Sequence, residues 1–486
     1  MDHTGFIDGQ FVAGEGAPFR VENPSDESTV ADLVGVSEAQ AAAAIAAARR
    51  AFDAGVWSGR SAAERAEVMR AFAAAMDARA DTLRELALTE AGCPVSSSVM
   101  NAQVGAPLRM THEAIDYYLS LPEIEDNPVP LHERITPQGG TVQSLKRYTP
   151  LGVVSAISAY NVPFYTAMWK VVPGLLAGNS VVLRPNPLAP LSAMVFAEAA
   201  VAAGLPAGVL NVLIEGGLEG GRLMTTDPMV DMVSFTGSCT VGALVAGQAA
   251  PSMKRLVLEL GGKSAQIFLP DAVDRAPMHA MIVAIAHAGQ GCALGTRLFV
   301  PEASKPEVLE KAAAMMAKIK VGPASDPATQ TGPVISAAQR ARCEHFVAQA
   351  VAHGGRVVTG GKRPAHLDKG FYFEPTLLDL PDNANPAAQE EIFGPVAAVI
   401  GYRDLDHAIA MANDSQFGLS GYVHGADKAA ALKVALGIRS GTVNINGGLM
   451  STFASMGGIK MSGIGRERGL EGFRAYQQMT VLNIGG

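Results

Sequence analysis

Between residues 151 and 259 short β-rich runs alternate with helical stretches, and no other feature of the 486-residue chain limits its fold as much. Strands are expected at VVSAISA (153–159), SVVLR (180–184), VLNVLI (209–214), DMVSF (231–235) and RLVLE (255–259). Helices are expected between them, near 164–177, 191–203, 217–224 and 239–249. Such alternation points to a mostly parallel sheet whose crossover helices cover both faces. Ligands of these sheets bind beyond the carboxyl ends of the strands. Asn161, Arg184, Gly216 and the Thr236-Gly237-Ser238 turn fall there.

The flanking regions read differently. Residues 37–91 are helical in pattern, opened by Ser37-Glu38-Ala39-Gln40, a capping-box arrangement, with a second Ala-rich helix from Ser61. Between about 120 and 150, Pro122, Pro128, Pro130 and Pro137 with Gly139 and Gly140 break helix and indicate an extended excursion. Residues 260–470 again mix apolar runs with helices such as 305–320 and 336–353, and the tail AYQQMTVLNIGG ends β-like. A chain roughly three times the usual ~150-residue domain has room for more than one core. The reading is two α/β lobes plus a small extended element.

Several function classes are excluded on composition. Apolar residues make up 48% and charged ones 17%, so neither disorder nor a small disulfide framework is expected. The net charge is −8 with no Lys/Arg block, so nucleic acid is not an expected partner. The longest apolar stretch, Leu191 to Ile214, is broken by Gly204 and Pro206, leaving a piece shorter than the ~20 residues a bilayer needs. No membrane span is therefore expected, and MDHTGFIDGQFVAGEG has neither the basic nor the apolar segment of an export signal. The four cysteines form no CxxC and the histidines no HExxH, so no metal site is expected and a reducing cytoplasm fits.

Gly289-Gln290-Gly291-Cys292 is the sharpest local motif. A cysteine after two glycines sits on backbone that can bend tightly against a ligand. A free thiol is only about 3% thiolate at pH 7, yet the thiolate is a strong nucleophile. Alone, the motif is as compatible with a small core residue in a turn. Cys239, first in a helix after the Gly237 turn, could have its pKa lowered there, while Cys93 and Cys343 read as packing residues. His287 precedes Cys292 by five positions and invites a Cys–His hydrolase reading, for which closeness in sequence is poor evidence. Glu259 ends the apolar run VLELGGKS, where an ionised carboxylate is costly unless paired, so it reads either as a general base or as half of a structural ion pair. Gly261-Gly262-Lys263-Ser264 imitates a phosphate-binding loop, but Val257 stands where its first glycine belongs. No GxGxxG occurs either.

Taken together these residues resemble the NAD(P)-dependent aldehyde dehydrogenase superfamily, over nearly the whole chain. The motifs are Tyr160-Asn161-Val162-Pro163-Phe164, VVLRPNPLAP (181–190), FTGSCTVG (235–242), LELGGKS (258–264) and GQGC (289–292). QEEIFGPV (389–396), GTVNIN (441–446) and GGIKMSGIGRERG (457–469) come after them in the family's order. The resemblance implies an α/β fold with a Rossmann-like cofactor domain (1–124 and 145–257), an α/β catalytic domain (258–447) and a small β oligomerisation element (125–144 and 472–486). It implies a homodimer or homotetramer.

It also implies roles. Cys292 is the nucleophile, Asn161 with the Cys292 N–H the oxyanion hole, and Glu259 the base that activates water. Lys170 and Glu467 match a proton relay. Cofactor contacts fall on Ser158, Ala159, Tyr160, Arg184, Gly216, Phe235, Thr236, Gly237, Ser238, Gly242, Leu260, Gly261, Glu391 and Phe393. The cofactor is NAD, with NADP left open: Arg184 replaces the family's ribose-binding lysine, and Pro187 replaces the acidic residue that would repel a 2′-phosphate. His287 stands where an asparagine is usual.

By the same resemblance, the small-molecule partner is an aldehyde. Its funnel is expected to be lined by Val162, Tyr165, Thr166, Trp169, Gly291, Ala293, Leu449, Met450 and Phe453, none of them cationic, so an apolar aromatic or medium-chain aldehyde is favoured over a semialdehyde with its own carboxylate. Arg109, in a nearby helix, is the cation that could reach in. Competing readings are a semialdehyde dehydrogenase, a Cys-based esterase or acyl transferase on the same fold, and a non-catalytic relative, against which the intact Asn161, Glu259 and Cys292 set argues.

Overall fold

The computed structural model describes residues 3–448 and 451–485. The expected alternation forms a sheet whose centre runs, in spatial order, Arg255–Glu259, Met232–Thr236, Val153–Ile157, Ser180–Arg184 and Leu210–Leu213, all parallel. Every residue of Val153–Ile157 and of Ser180–Arg184 is buried, as befits strands covered on both faces. From Val153–Ile157 the chain builds outward to one side, then returns to place Met232–Thr236 on the other. Their carboxyl ends therefore diverge, opening the crevice where such sheets bind ligands. Antiparallel edges close the sheet: Gly5–Ile7 and Gln10–Val12 at one end, Gly463–Ile464 against Leu258 and Glu259 at the other.

The helices depart slightly from expectation, for local reasons. The stretch 191–203 opens as a 3-10 turn, Leu191–Ala193, before Met194–Ala202. The buried Glu90 carboxylate holds the Leu191 and Ser192 N–H groups at 2.8 and 3.2 Å at that tightened start. The helix expected near 217 begins at Glu219, where the Glu215 carboxylate accepts from the Gly220 and Gly221 N–H groups. Ser37 and Gln40 do form the reciprocal capping box.

A second sheet orders Arg356–Thr359, Thr376–Asp379, Val396–Tyr402, Arg297–Pro301, Ala265–Phe268, Ser420–His424 and Thr442–Ile445. Only its first pair is antiparallel. Separate apolar cores fill the two faces of each sheet. The extended excursion becomes a three-stranded antiparallel unit of Ile124–Asp126, Val142–Pro150 and Gln477–Gly485, the last on its outer edge. No helix among the described residues is long and apolar enough to cross a membrane.

Candidate active site

The loop carrying Cys292 is unusual backbone. His287, Ala288 and Gly289 have φ of 52°, 51° and 75°, three left-handed residues in a row after the helix Ala276–Ile285. Histidine, like asparagine, tolerates that region better than most side chains, which accounts for His287 where the resemblance leads one to expect Asn. Gly289 cannot carry a Cβ, because one would run into the Gly394 carbonyl. Gln290 anchors the turn into Cys292: its side chain accepts from the Ile335 N–H at 2.9 Å and donates to the His287 carbonyl at 3.2 Å.

Asn161 is tied to the same loop, its Nδ2 donating to the Gln290 carbonyl at 2.8 Å. The buried Gln103 Nε2 holds the Asn161 carbonyl at 2.7 Å. One amide hydrogen of Asn161 remains for a substrate oxygen. The Cys292 thiol is pushed up to about 12, by burial first and then by the Glu391 and Glu259 carboxyls. It rests as the neutral thiol. His287 does not activate it: no hydrogen bond joins them, neither ring nitrogen has a partner among the described residues, and burial pulls the imidazole down to about 4, leaving it neutral. The Cys–His reading ends there.

Glu259 closes its strand with both carboxylate oxygens buried and unpartnered among the described residues. Burial, then Glu467, raises its pKa to about 8, against the lowering effect of Lys170, Arg466 and Arg468. A carboxyl so poised exchanges a proton near neutral pH, which is what a general base on water needs. Two glycines of the C-terminal motif make the space. A Cβ on Gly457 would stand 2.7 Å from Glu259 Oε1, and Gly463, paired with Glu259, would collide with the Leu258 carbonyl. The strand end also reaches the nucleophile loop, since Gly262 lies so close that a Cβ would be 2.5 Å from the Cys292 carbonyl oxygen. Behind it, Lys170 Nζ donates to Glu467 Oε1 at 2.6 Å and to Ser234 Oγ at 3.3 Å, a buried pair.

The crevice of the first sheet meets the same loops. The Gly237 N–H donates to the Glu259 carbonyl at 3.1 Å, and Ser238 caps the helix Cys239–Ala249. Phe235 packs over Gly237, Leu260 against Gly242, and Phe19 against Gly216, each leaving no room for a Cβ. The Thr236 hydroxyl is buried with no partner among the described residues. Glu391 accepts from the Gly262 N–H at 2.9 Å and crowds Gly261, while Phe393, at φ 60°, meets Tyr160 edge-on at 5.9 Å. Ser158 and Ala159 continue Val153–Ile157, the Ser158 N–H donating to the Arg184 carbonyl at 3.1 Å. Open helix-terminal N–H groups, an unpartnered hydroxyl and glycine-only approaches suit a dinucleotide laid along this edge. Cys239 does not gain from its helix terminus: burial raises its thiol pKa.

Sequence reasoning missed Glu215. Arg184 Nε donates to it at 2.5 Å in a buried ion pair, and Arg184 Nη2 donates to the Gly217 carbonyl at 2.6 Å. The signal was present, a carboxylate ending an apolar strand just as Glu259 does, but nothing in the sequence aligns it with Arg184.

A cavity of about 450 Å³ opens onto Cys292, with Asn161, Val162, Tyr165, Tyr422 and Arg468 in its wall. Trp169 lies behind, buried in the core, rather than in the wall. Leu449 and Met450 lie outside the described residues, and Phe453 is exposed, packed against Tyr117. Arg109 turns outward to pair with Glu113. The expectation of a wall without cations is corrected by Arg468, overlooked because it comes after Glu467 in a segment read only for the proton relay. Among the described residues no group of three or more His, Cys, Asp or Glu could hold a metal.

The model of the aldehyde dehydrogenase family matches residues 11–482. A geranial dehydrogenase of Castellaniella defragrans is 36% identical over the full length of both chains. A 3-succinoylsemialdehyde-pyridine dehydrogenase of a Pseudomonas species is 35% identical over 98% of this chain and 97% of its own. Among solved structures, a betaine aldehyde dehydrogenase point mutant of Staphylococcus aureus in complex with NAD+ superposes with TM-score 0.94 at 32% identity, covering 99% of this chain and 96% of that one. A cysteine-to-alanine mutant of aldehyde dehydrogenase C from Pseudomonas syringae, with NAD+ and octanal, gives 0.92 at 36% identity with the same coverage.

Proposed function

The chain belongs to the aldehyde dehydrogenase family, and we propose that it oxidises aldehydes with an apolar aromatic or medium-chain body to carboxylic acids, using Cys292 as nucleophile and NAD as hydride acceptor. The observation that carries this reading is the convergence of a buried thiol, a free amide hydrogen of Asn161 and an unpartnered, poised carboxyl on one mainly apolar cavity. The octanal bound to the Pseudomonas syringae enzyme and the activity of the Castellaniella relative agree with an apolar body.

Each residue has its own share of the work. Cys292 Sγ gives its proton to solvent water as it adds to the aldehyde carbon, and the oxygen gathers charge against Asn161 Nδ2 and the Cys292 N–H. Glu391 and Phe393 would hold the nicotinamide ring of a bound NAD, which would accept the hydride. The acyl group then rests on Cys292 as a thioester. Glu259 takes a proton from water, whose oxygen adds to the acyl carbon and releases the acid and the thiolate. Lys170 and Glu467 pass that proton on from Glu259, and the thiol regains one before the next cycle.

NAD is favoured over NADP because Glu215 already neutralises Arg184, so this guanidinium is not free to receive a 2′-phosphate. Replacing Glu215 by Gln frees the guanidinium, and the NADP/NAD ratio of kcat/KM is expected to rise at least about tenfold, or about 1.4 kcal/mol. Leaving a buried cation unpaired also lowers stability by roughly 3–5 kcal/mol. Steady-state kinetics with both cofactors, beside a melting curve with and without NADP, check this; an unchanged ratio removes Glu215 from cofactor choice.

The three-stranded unit is read as an oligomerisation element. Its nine-residue outer strand Gln477–Gly485 exposes Met479, Val481 and Ile484, and an unpaired long edge invites another chain. A dimer or tetramer working in the cytoplasm is part of this reading. The test of the function is direct: the purified protein with NAD or NADP and a series from benzaldehyde to octanal, followed by absorbance of reduced cofactor. Reduction with none of them refutes the proposal.

A further inference from the structure

The wall of the aldehyde cavity holds a guanidinium whose hydrogen-bond donors the reaction above leaves unused. Arg468 lines that cavity and is only 8% exposed. A guanidinium offers five N–H donors in one plane. Here Nη1 makes a single long bond to the Ser451 carbonyl at 3.4 Å, and Nε is buried without a partner among the described residues. The chain's other buried arginines are treated differently. Arg297 donates to Lys263, Asn383, Met411 and Ala412, Arg184 is paired with Glu215, and Arg65 donates to the Leu176 and Arg60 carbonyls.

Nor does a neighbouring carboxylate neutralise Arg468. Glu467, next in the chain, is taken by Lys170 at 2.6 Å. No carboxylate among the described residues stands within ion-pair distance of Arg468, and Glu259 is held largely as the neutral acid at pH 7 by its burial. Arg466 spends its Nη1 on the Gly458 and Gly465 carbonyls. The local set of Lys170, Glu467, Arg466, Arg468 and Glu259 is thus left with an excess of positive charge.

The backbone adds a second cost. Arg468 sits at φ 61°, ψ 172°, a conformation that glycine adopts freely and other residues rarely. A buried donor without acceptors among the described residues, on strained backbone, in a mainly apolar wall, does nothing for folding that glycine would not do better. Strain of this kind collects where a site needs a particular group.

We propose that Arg468 is a specificity-determining residue that receives a carboxylate carried on the body of the aldehyde, so that the preferred substrate is an aldehyde acid whose two ends are joined by an apolar spacer. This rests on the function proposed above and refines its substrate. The spacer occupies the apolar wall beside Val162, Tyr165 and Tyr422, and the carboxylate supplies the acceptors that the guanidinium lacks among the described residues. Arginine suits the task because its planar fork meets both carboxylate oxygens at once.

The test compares two aldehydes of nearly equal shape, 4-carboxybenzaldehyde and 4-methylbenzaldehyde. The wild-type protein is expected to favour the carboxylate by at least about tenfold in kcat/KM, as loss of a charge-assisted bidentate contact would imply. Arg468→Gly, which suits the backbone, is expected to keep or raise Tm and to abolish the preference, chiefly through KM for the acid. Arg468→Lys is expected to retain part of it. Calorimetric binding of terephthalate against 4-methylbenzoate asks the same question without turnover. Equal use of the two aldehydes by the wild type, or an equal loss for both in Arg468→Gly, overturns the inference. Oxidation of 4-methylbenzaldehyde by the wild type keeps the proposed function standing even then, whereas discrimination between the two acids in a protein that oxidises neither aldehyde keeps Arg468 and refutes the function.

Discussion

Replacing Cys292 by serine is expected to lower kcat for aldehyde oxidation by at least about a thousandfold, roughly 4 kcal/mol of barrier, while leaving NAD affinity nearly unchanged. The thiol already rests well above its ordinary pKa, held neutral by burial and by two nearby carboxyls. A hydroxyl in the same place is harder still to ionise, and no base bonded to it makes up the difference. Hydride can leave the aldehyde carbon only after a nucleophile has made it tetrahedral, so the first chemical step fails. The cofactor edge depends on other groups: the Gly237 turn, Glu391 on the Gly262 N–H, and a close approach of Gly262 to the Cys292 carbonyl rather than to its side chain. Steady-state rates beside NAD titration by fluorescence separate the two effects. A serine variant with about a tenth of the wild-type kcat, a change of about 1.4 kcal/mol, would falsify the assignment.

Local patterns in the chain announced whatever depends on near neighbours. The five central strands are β-rich runs between helices, and all five begin and end within two residues of expectation because each is buried along most of its length and cannot slip. The glycines before Cys292 marked backbone that bends tightly, but what Gly289 and Gly457 approach, the Gly394 carbonyl and Glu259, appears only in the fold. Long-range pairing was not legible. Arg184 and Glu215 are 31 positions apart, Asn161 and Gln290 129 apart, and neither pair leaves a trace in spacing or composition. Arg468 was hidden differently. Its segment carries a family motif and the relay match at Glu467, and only the fold turns the next residue into the cavity wall. The expectation for Cys239 failed because a helix terminus was weighed without the desolvation that accompanies it.

Replacing Glu259 by glutamine is expected to split the reaction in two. Acyl-enzyme formation uses Cys292, Asn161 and the cofactor, so a burst of reduced cofactor close to one per active site should survive. Release of the acid needs an activated water, and steady-state turnover should fall about 10²- to 10⁴-fold, the usual worth of a positioned base. The pH dependence carries its own signature. Burial and Glu467 raise the Glu259 carboxyl to about 8, so it is protonated and idle below that value and active above it. Deacylation by the wild type should therefore climb with pH and level off above about 8, and the glutamine variant should lose this rise. Lys170 and Arg466 hold the carboxyl lower than burial alone would set it, so Lys170→Met is expected to move the rise to higher pH. Rapid mixing across pH 6 to 10 reads all of this in one series. If burst and steady-state rates fall together, Glu259 takes the proton from the Cys292 thiol instead of from water, and the two carboxyls that raise that thiol would then differ in role: Glu391 holding the cofactor, Glu259 priming the nucleophile.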